Sequence, residues 1–335
     1  MLSPYPWQQR QWRQLLAIAG QGRLPHALLL AGAAGLGIEE FARALAARLL
    51  CERATDAEPA CGECRACRLF AAGSHPDAVF IEPEESGKDI KVDVLRELIG
   101  FLQLSSQYGR HKLAVIAPAE AMNRSAANSL LKTLEEPTAG CILILCSQRP
   151  ALLPVTIRSR CQRLNFSAVA DADTLNWLAE QAGGVERARE LLDLAGGRPL
   201  AALQLDADGL LDKQAALLDD LAALRGRGGD PVSTAQKWCG EDAIQVLQWL
   251  LLFIQAMVRL RLDAAAGGNR GGLQERLRTL TQGLDLLPLL EWYAIVMRNY
   301  RAATGPYNLN RQGLLEEIIV CWQSLAQSAS GGNRQ

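Results

Sequence analysis

The sequence predicts an α/β domain wound around a parallel sheet, followed by an all-α region. Three observations carry that prediction. Short apolar runs at 27–31, 78–81, 112–118, 141–147 and 162–166 alternate with helix-period segments, the pattern of a sheet covered by helices on both faces. Beyond residue 166 strand-like runs stop and the apolar residues take helical spacing. The 335 residues are 49% hydrophobic and only 5% aromatic, with Leu and Ala dominant, which favours helices and suffices for two or three domains with sizeable cores.

A formal net charge of −1 gives no bulk attraction for nucleic acid. The N-terminus Met1-Leu2-Ser3-Pro4-Tyr5-Pro6-Trp7 lacks a basic-plus-apolar export signal, and no apolar run is expected to approach the length and apolarity of a membrane span. The expectation is a cytoplasmic protein with no membrane partner.

Taken in order, residues 7–21 read as an amphipathic helix with Trp12, Leu15, Leu16 and Ala19 on one face. Leu24-Pro25-His26 ends it, and Ala27-Leu28-Leu29-Leu30-Ala31 is a buried strand. Then comes Gly32-Ala33-Ala34-Gly35-Leu36-Gly37-Ile38-Glu39, opening a helix over 38–52. Strand, glycine-rich turn and helix form the context of a phosphate-cradling loop, in which backbone N–H groups and the helix dipole converge on an anion. An ATPase needs Lys at 38 to reach the phosphates and Ser or Thr at 39 to hold Mg²⁺. Ile38 offers no charge, and Glu39 would set a carboxylate against phosphate oxygens. The glycine spacing at Gly32, Gly35 and Gly37 is also compatible with a plain strand-to-helix turn.

Nine cysteines are present, and Cys51, Cys61, Cys64 and Cys67 are clustered. Four thiolates suit tetrahedral Zn²⁺, and each two-residue spacing lets a tight turn aim two sulfurs at one ion. With all four ligands from the chain no position stays open, so the expected zinc is structural. Arg65 and Arg68 leave a DNA-contacting finger as an alternative, which the acidic linker over 53–60 disfavours.

His75, in Ser74-His75-Pro76-Asp77, reads as a hydrogen-bonded turn residue. A strand at 78–81, a loop at 83–88 and a helix at 92–103 follow. The strand 112–118 ends in Ala117-Pro118, where an ATPase carries Asp-Glu. Asn123 caps a helix expected over 124–136, closed by Pro137. Cys141 and Cys146 lie in the strand 141–147 as core residues. The helical region predicts three short helices within 171–206 and longer ones near 210–225, 242–266, 273–300 and 311–328, with a core or interface helix at 245–262 that is apolar on most sides.

The loop 32–39, the cysteine quartet, Ser-Leu-Leu-Lys-Thr-Leu-Glu-Glu-Pro at 129–137, Leu-Pro-Val-Thr-Ile at 153–157 and Ser-Arg-Cys at 159–161 together resemble bacterial clamp-loader subunits of the AAA+ class. The resemblance is dense in motifs over 24–166 and rests on helix layout beyond. It implies a RecA-like, doubly wound parallel-sheet module over 1–166 with an inserted four-cysteine zinc module at 51–67. A three-helix lid at 167–207, a helical collar at 208–330 and a disordered tail at 331–335 would follow. It further implies a place in the open five-subunit ring that loads the sliding clamp onto primed DNA within the DNA polymerase III holoenzyme. The partners would be the ATPase (gamma/tau) subunits and the delta subunit, met through collar and AAA+ domains. In active relatives Ser-Arg-Cys lends an arginine to the ATP of the neighbouring subunit. Here that arginine is Arg160, with Arg158 in reserve.

Ile38, Glu39, Ala117 and Pro118 depart from the ATPase pattern, the sensor position holds Ser147 or Gln148, and Arg198 takes no assigned nucleotide role. The resemblance therefore implies a non-catalytic subunit that hydrolyses no Mg-ATP. The competing readings are a zinc-stabilised nucleic-acid-binding module on a degenerate AAA+ scaffold and an ATP-hydrolysing motor with unusual residues.

Overall fold

Leu28, Leu29 and Leu30 have no exposed surface, and the computed structural model places their strand in the interior of one parallel sheet. Described are residues 2–331 except 56–57, 86, 109–110, 227–228, 241, 263–270 and 305–309. The strands are β1 (Ala27–Ala31), β2 (Ala78–Ile81), β3 (Lys112–Ile116), β4 (Cys141–Ser147) and β5 (Gln162–Asn165). Their spatial order is β2-β3-β4-β1-β5. Every pairing is parallel, with Leu28 opposite both Ile144 and Gln162. β1 thus lies between β4 and β5, so the glycine loop leaves the sheet flanked by the loops that follow those two strands.

The side-chain period of two splits β1 between two cores. Leu28 and Leu30 pack with Trp12, Leu15, Phe41 and Leu45, from α1 (Gln9–Gly20) and α2 (Ile38–Leu50). Leu29 packs on the other face with Leu95, Leu98, Ala126 and Ile157. Helices cover both faces, and each fully buried leucine contributes about 1.5–3 kcal/mol of burial. This is the doubly wound α/β module the sequence predicts.

The remaining helices of this part are α3 (Arg65–Ala71), α4 (Val92–Gln103), α5 (Arg124–Ser129), α6 (Leu131–Glu135) and α7 (Val155–Arg158). After them come α8 (Ala172–Ala182), α9 (Val185–Leu194) and α10 (Pro199–Ala207). The helix expected over 124–136 is split at Leu130, whose N–H bonds the carbonyls of Ala127 and Asn128. The Asn123 cap is present, with the side chain accepting from the Ala126 N–H.

All-α structure follows: α11 (Leu210–Arg225), α12 (Pro231–Gly240), α13 (Ala243–Leu262), α14 (Gly271–Thr281), α15 (Leu286–Thr304) and α16 (Arg311–Gly331). The single helix expected over 273–300 is two helices. Gly283 sits at φ +74°, a left-handed conformation that suits glycine and ends a helix, and Pro288 falls in the first turn of the next. The predicted tail lies outside the described residues from 332 onward.

α13 corrects another expectation, because it is long and apolar enough to cross a membrane, with mean hydropathy 1.6. Its apolar side chains serve a helical core instead. Trp249, Leu250, Phe253, Ile254 and Met257 are buried with Trp238, Trp292 and Trp322. The buried indoles find acceptors, Trp292 on the Ile318 carbonyl at 3.1 Å and Trp322 on that of Leu221 at 2.9 Å. The chain divides into two compact units, Met1–Ala188 with Leu192–Gln204, and Arg189–Leu191 with Leu205–Gln335.

Candidate functional site

The glycine loop has the backbone that its sequence predicts. Gly35 and Gly37 take φ of +85° and +73°, and Gly37 is the residue from which α2 starts. What surrounds the loop leaves no signal in the sequence. Gln8, fully buried, donates from Nε2 to the carbonyls of Leu36 at 2.8 Å and Gly37 at 2.7 Å. Trp7 Nε1 also donates to Leu36, at 3.0 Å. On the opposite flank the N–H of Leu200, in the first turn of α10, donates to the Gly35 carbonyl at 3.0 Å. A Cβ built on Gly35 would stand 2.6 Å from Ala201 Cβ, and one on Gly37 2.8 Å from the Tyr5 ring. Tyr5 and Trp7 stack with centroids 4.6 Å apart, and Trp177 of α8 meets Trp7 edge-on at 5.0 Å. The loop is thus clasped by the N-terminal segment and α10, its carbonyls used by the chain itself.

Its chemistry is that of an anion-repelling surface. Ile38 is buried in the α2-side core. The Glu39 carboxyl is raised above the usual carboxylate range, first by burial and then by repulsion from Glu40, Glu82 and Glu120, with Arg43 opposing. Arg43 itself is engaged by Glu82. Past β3, the Glu120 carboxylate accepts the N–H groups of Gln148 and Arg149 at 3.1 and 3.0 Å. Ser147 Oγ is buried and has no hydrogen-bond partner among the described residues. Arg198 donates from Nε to the Ala195 carbonyl at 2.6 Å, and its Nη1 lies 3.5 Å from the carbonyl of Ala34 in the glycine loop.

The four predicted thiols converge. All four sulfurs lie within 4.8 Å of one another, with Cys51–Cys64 at 4.0 Å and Cys61–Cys67 at 3.9 Å. Tetrahedral Zn–S bonds of about 2.3 Å put sulfurs about 3.8 Å apart, whereas a disulfide needs about 2.05 Å. The quartet therefore fits a metal ion. Cys51 ends α2 and Cys64 caps α3, its sulfur accepting from the Cys67 N–H at 3.4 Å. Hydrogen bonds from the backbone at Cys64 and Glu63 lower the Cys61 thiol to about 6, while burial pushes Cys67 up. Cys51, Cys64 and Cys67 are buried, which suits a structural centre.

Arg160 stands apart from both. It follows α7, whose Ile157 is fully buried, and precedes the buried Cys161. Its Nε and Nη2 lie 2.9 and 2.5 Å from the same oxygen of Glu135, the last residue of α6. Nη1 donates to the Thr156 carbonyl at 3.0 Å and lies 3.4 Å from Ser159 Oγ. Arg158 Nε is buried without a hydrogen-bond partner among the described residues. Arg160 comes two residues before Gln162, which pairs with Leu28 at the start of β1. The glycine loop leaves the other end of β1. The parallel strands therefore separate Arg160 from its own chain's loop by about 13 Å along the sheet.

A further cluster is only half legible in the sequence. His75 is the hydrogen-bonded turn residue expected, its Nδ1 accepting from the Asp77 N–H at 3.1 Å. Asp77 is fully buried and pairs with buried Lys112 at 3.3 Å. Burial alone would raise the Asp77 carboxyl. The N–H groups of Gln107 and Tyr108, the Ser106 hydroxyl and Lys112 outweigh that and hold it below its usual value.

A family model described as DNA polymerase III, delta subunit, matches residues 7–170, and one described as DNA polymerase III, delta subunit, C terminal, matches residues 208–324. The chain is 37% identical to the DNA polymerase III subunit delta' of Pseudomonas aeruginosa, over 97% of this chain and 99% of that one. It is 30% identical to the Escherichia coli protein of the same name, over 94% of each. Among solved structures, a DNA polymerase III gamma subunit-related protein from Thermotoga maritima aligns over 95% of this chain and 99% of its own, with 18% identity and a TM-score of 0.41.

Proposed function

The chain belongs to the DNA polymerase III delta' family, and from that premise we propose that it is the non-hydrolysing subunit of a sliding-clamp loader, lending Arg160 to the ATP site of a neighbouring ATPase subunit. The observation that carries this reading is the placement of Arg160 at the end of the sheet opposite to the one its own glycine loop leaves. A guanidinium there lies away from its own loop and, partly exposed, is open to a pocket on another chain. Its planar fork of donors and permanent charge suit the oxygens of a transferring phosphoryl group.

The chain's own loop supports the complementary half. Ile38 is turned into the core and Glu39 adds charge of the wrong sign, where an ATPase needs a lysine and a hydroxyl. On this reading the subunit neither binds Mg-ATP tightly nor hydrolyses it. The cysteine quartet holds a structural Zn²⁺, and the centre has no open position for catalysis. Residues 208–330 are the collar that meets the gamma/tau and delta subunits in a three-domain chain. The sliding clamp and primed DNA are then met within the assembled ring in the cytoplasm.

Reconstitution of the loader with Arg160→Ala tests the reading. Ring assembly is expected to persist, and cleavage at the adjoining site to fall by up to about 10³–10⁵, the range for arginine fingers. Undiminished cleavage in an intact ring would remove the proposal.

A further inference from the structure

We propose that Glu135 is a positioning residue for Arg160, aiming the guanidinium before the neighbouring subunit's phosphates arrive. The proposal rests on the trans role of Arg160 given above and adds to it the group that sets that side chain's direction.

An arginine on a surface turn is ordinarily a mobile side chain with considerable rotamer entropy to lose on fixing a phosphate. Arg160 has already lost much of that freedom. Of its five N–H donors, Nε and one on Nη2 meet Glu135 Oε1, while Nη1 meets the Thr156 carbonyl and Ser159 Oγ. One Nη2 donor is left over for an incoming oxygen. The guanidinium plane is held from two sides by different elements, Glu135 at the end of α6 and Thr156 within α7. Both elements are anchored beneath, by Leu134 and Ile157 in the same core.

The pair is also open to a neighbour, with side-chain exposures of 35% for Arg160 and 51% for Glu135. An exposed ion pair of this kind adds about 0–1 kcal/mol to stability. Its physical consequence is therefore orientation. The second carboxylate oxygen accepts no hydrogen bond among the described residues, so Glu135 engages the arginine through one atom and leaves one Nη2 donor uncovered.

The test uses loader rings reconstituted with Glu135→Ala, Glu135→Gln, Arg160→Ala and the Glu135→Ala/Arg160→Ala double substitution, with ring integrity checked by size. ATP cleavage is followed in single turnovers across ATP concentrations. For Glu135→Ala the saturating rate at the adjoining site should fall about 10-fold, with half-saturating ATP within about two-fold, as expected for loss of aim rather than of binding. Glu135→Gln should recover most of the rate, since its amide oxygen can accept the same two N–H groups. The double substitution should be no slower than Arg160→Ala alone, because the effect runs through the arginine.

Normal or faster cleavage by Glu135→Ala beside a slow Arg160→Ala overturns the proposal. So does a glutamine variant no better than alanine, or a double variant slower than Arg160→Ala. A normal rate for Arg160→Ala instead removes the trans-arginine reading itself, and the positioning role with it.

Discussion

Replacing Gln8 by alanine should loosen the clasp on the glycine loop without restoring nucleotide binding. The Gln8 side chain makes three hydrogen bonds, accepting from the Tyr5 N–H at 3.0 Å and donating to the carbonyls of Leu36 and Gly37. Leu36 would keep Trp7 Nε1 as a donor, and Gly37 would keep the Phe41 N–H at 3.0 Å. Only the Tyr5 N–H loses its sole partner among the described residues. One orphaned donor and two partly replaced bonds sum to about 2–4 kcal/mol. For a unit near 200 residues that lowers the melting temperature by about 5–12 °C.

Scanning calorimetry on the whole chain is the suitable assay, since two units need not melt as one transition. A loss below about 0.5 kcal/mol, the scale of an ordinary surface substitution, would refute the clasp. Titration of the same variant with Mg-ATP should still give no tight binding, because Ile38 and Glu39 remain. Tight binding would mean that obstruction, rather than lost chemistry, keeps the loop empty of nucleotide.

Cys64→Ser should release one zinc per chain, read by metal analysis of the purified protein, and a chelator should do the same to the native chain; a chain purified free of metal yet folded over 51–67 would contradict the centre. Asp77→Asn should destabilise the α/β unit by about 3–5 kcal/mol, because it leaves Lys112 buried without its counter-charge, and adding Lys112→Met should recover part of the loss in urea unfolding. The Asp77 carboxyl is depressed in the folded chain, so its contribution is complete above the unfolded value of about 3.9 and is lost as pH falls through the lower folded value. Acid unfolding curves of native protein and Asp77→Asn should converge in that window, and parallel curves would count against the pair.

The strands are legible in the sequence because a sheet buried on both faces demands unbroken apolar runs, which 27–31 and 141–147 display. The quartet is legible because its four thiols happen to fall close together in sequence, over 51–67. The loop's clasp is not. Trp7 and Leu36 are 29 residues apart, and Trp177 joins them from another helix, with no periodicity to link the three. Glu135 and Arg160 are likewise 25 residues apart, with β4 and α7 between them, and only the fold brings them together.

Other departures from expectation do carry a signal. Asp230-Pro231 is a cap followed by a first-turn proline, and the Asp230 carboxylate does accept the Ser233 N–H at 2.9 Å; the helix it opens, α12, stands where the glycines nearby suggest only a break. Gly283 reads as a tolerated glycine inside a helix because Leu280 and Leu284 keep the apolar spacing across it. Both are buried in the same core, so the periodicity survives a chain break that the backbone does not.

The trans role of the Ser-Arg-Cys turn is tested most directly by single-turnover ATP cleavage in loader rings carrying either Arg160→Ala or Arg158→Ala. The account predicts a large loss of rate with the first and a near-normal rate with the second, in rings of unchanged composition. Loss with Arg158→Ala alone, or full activity with both, would contradict it.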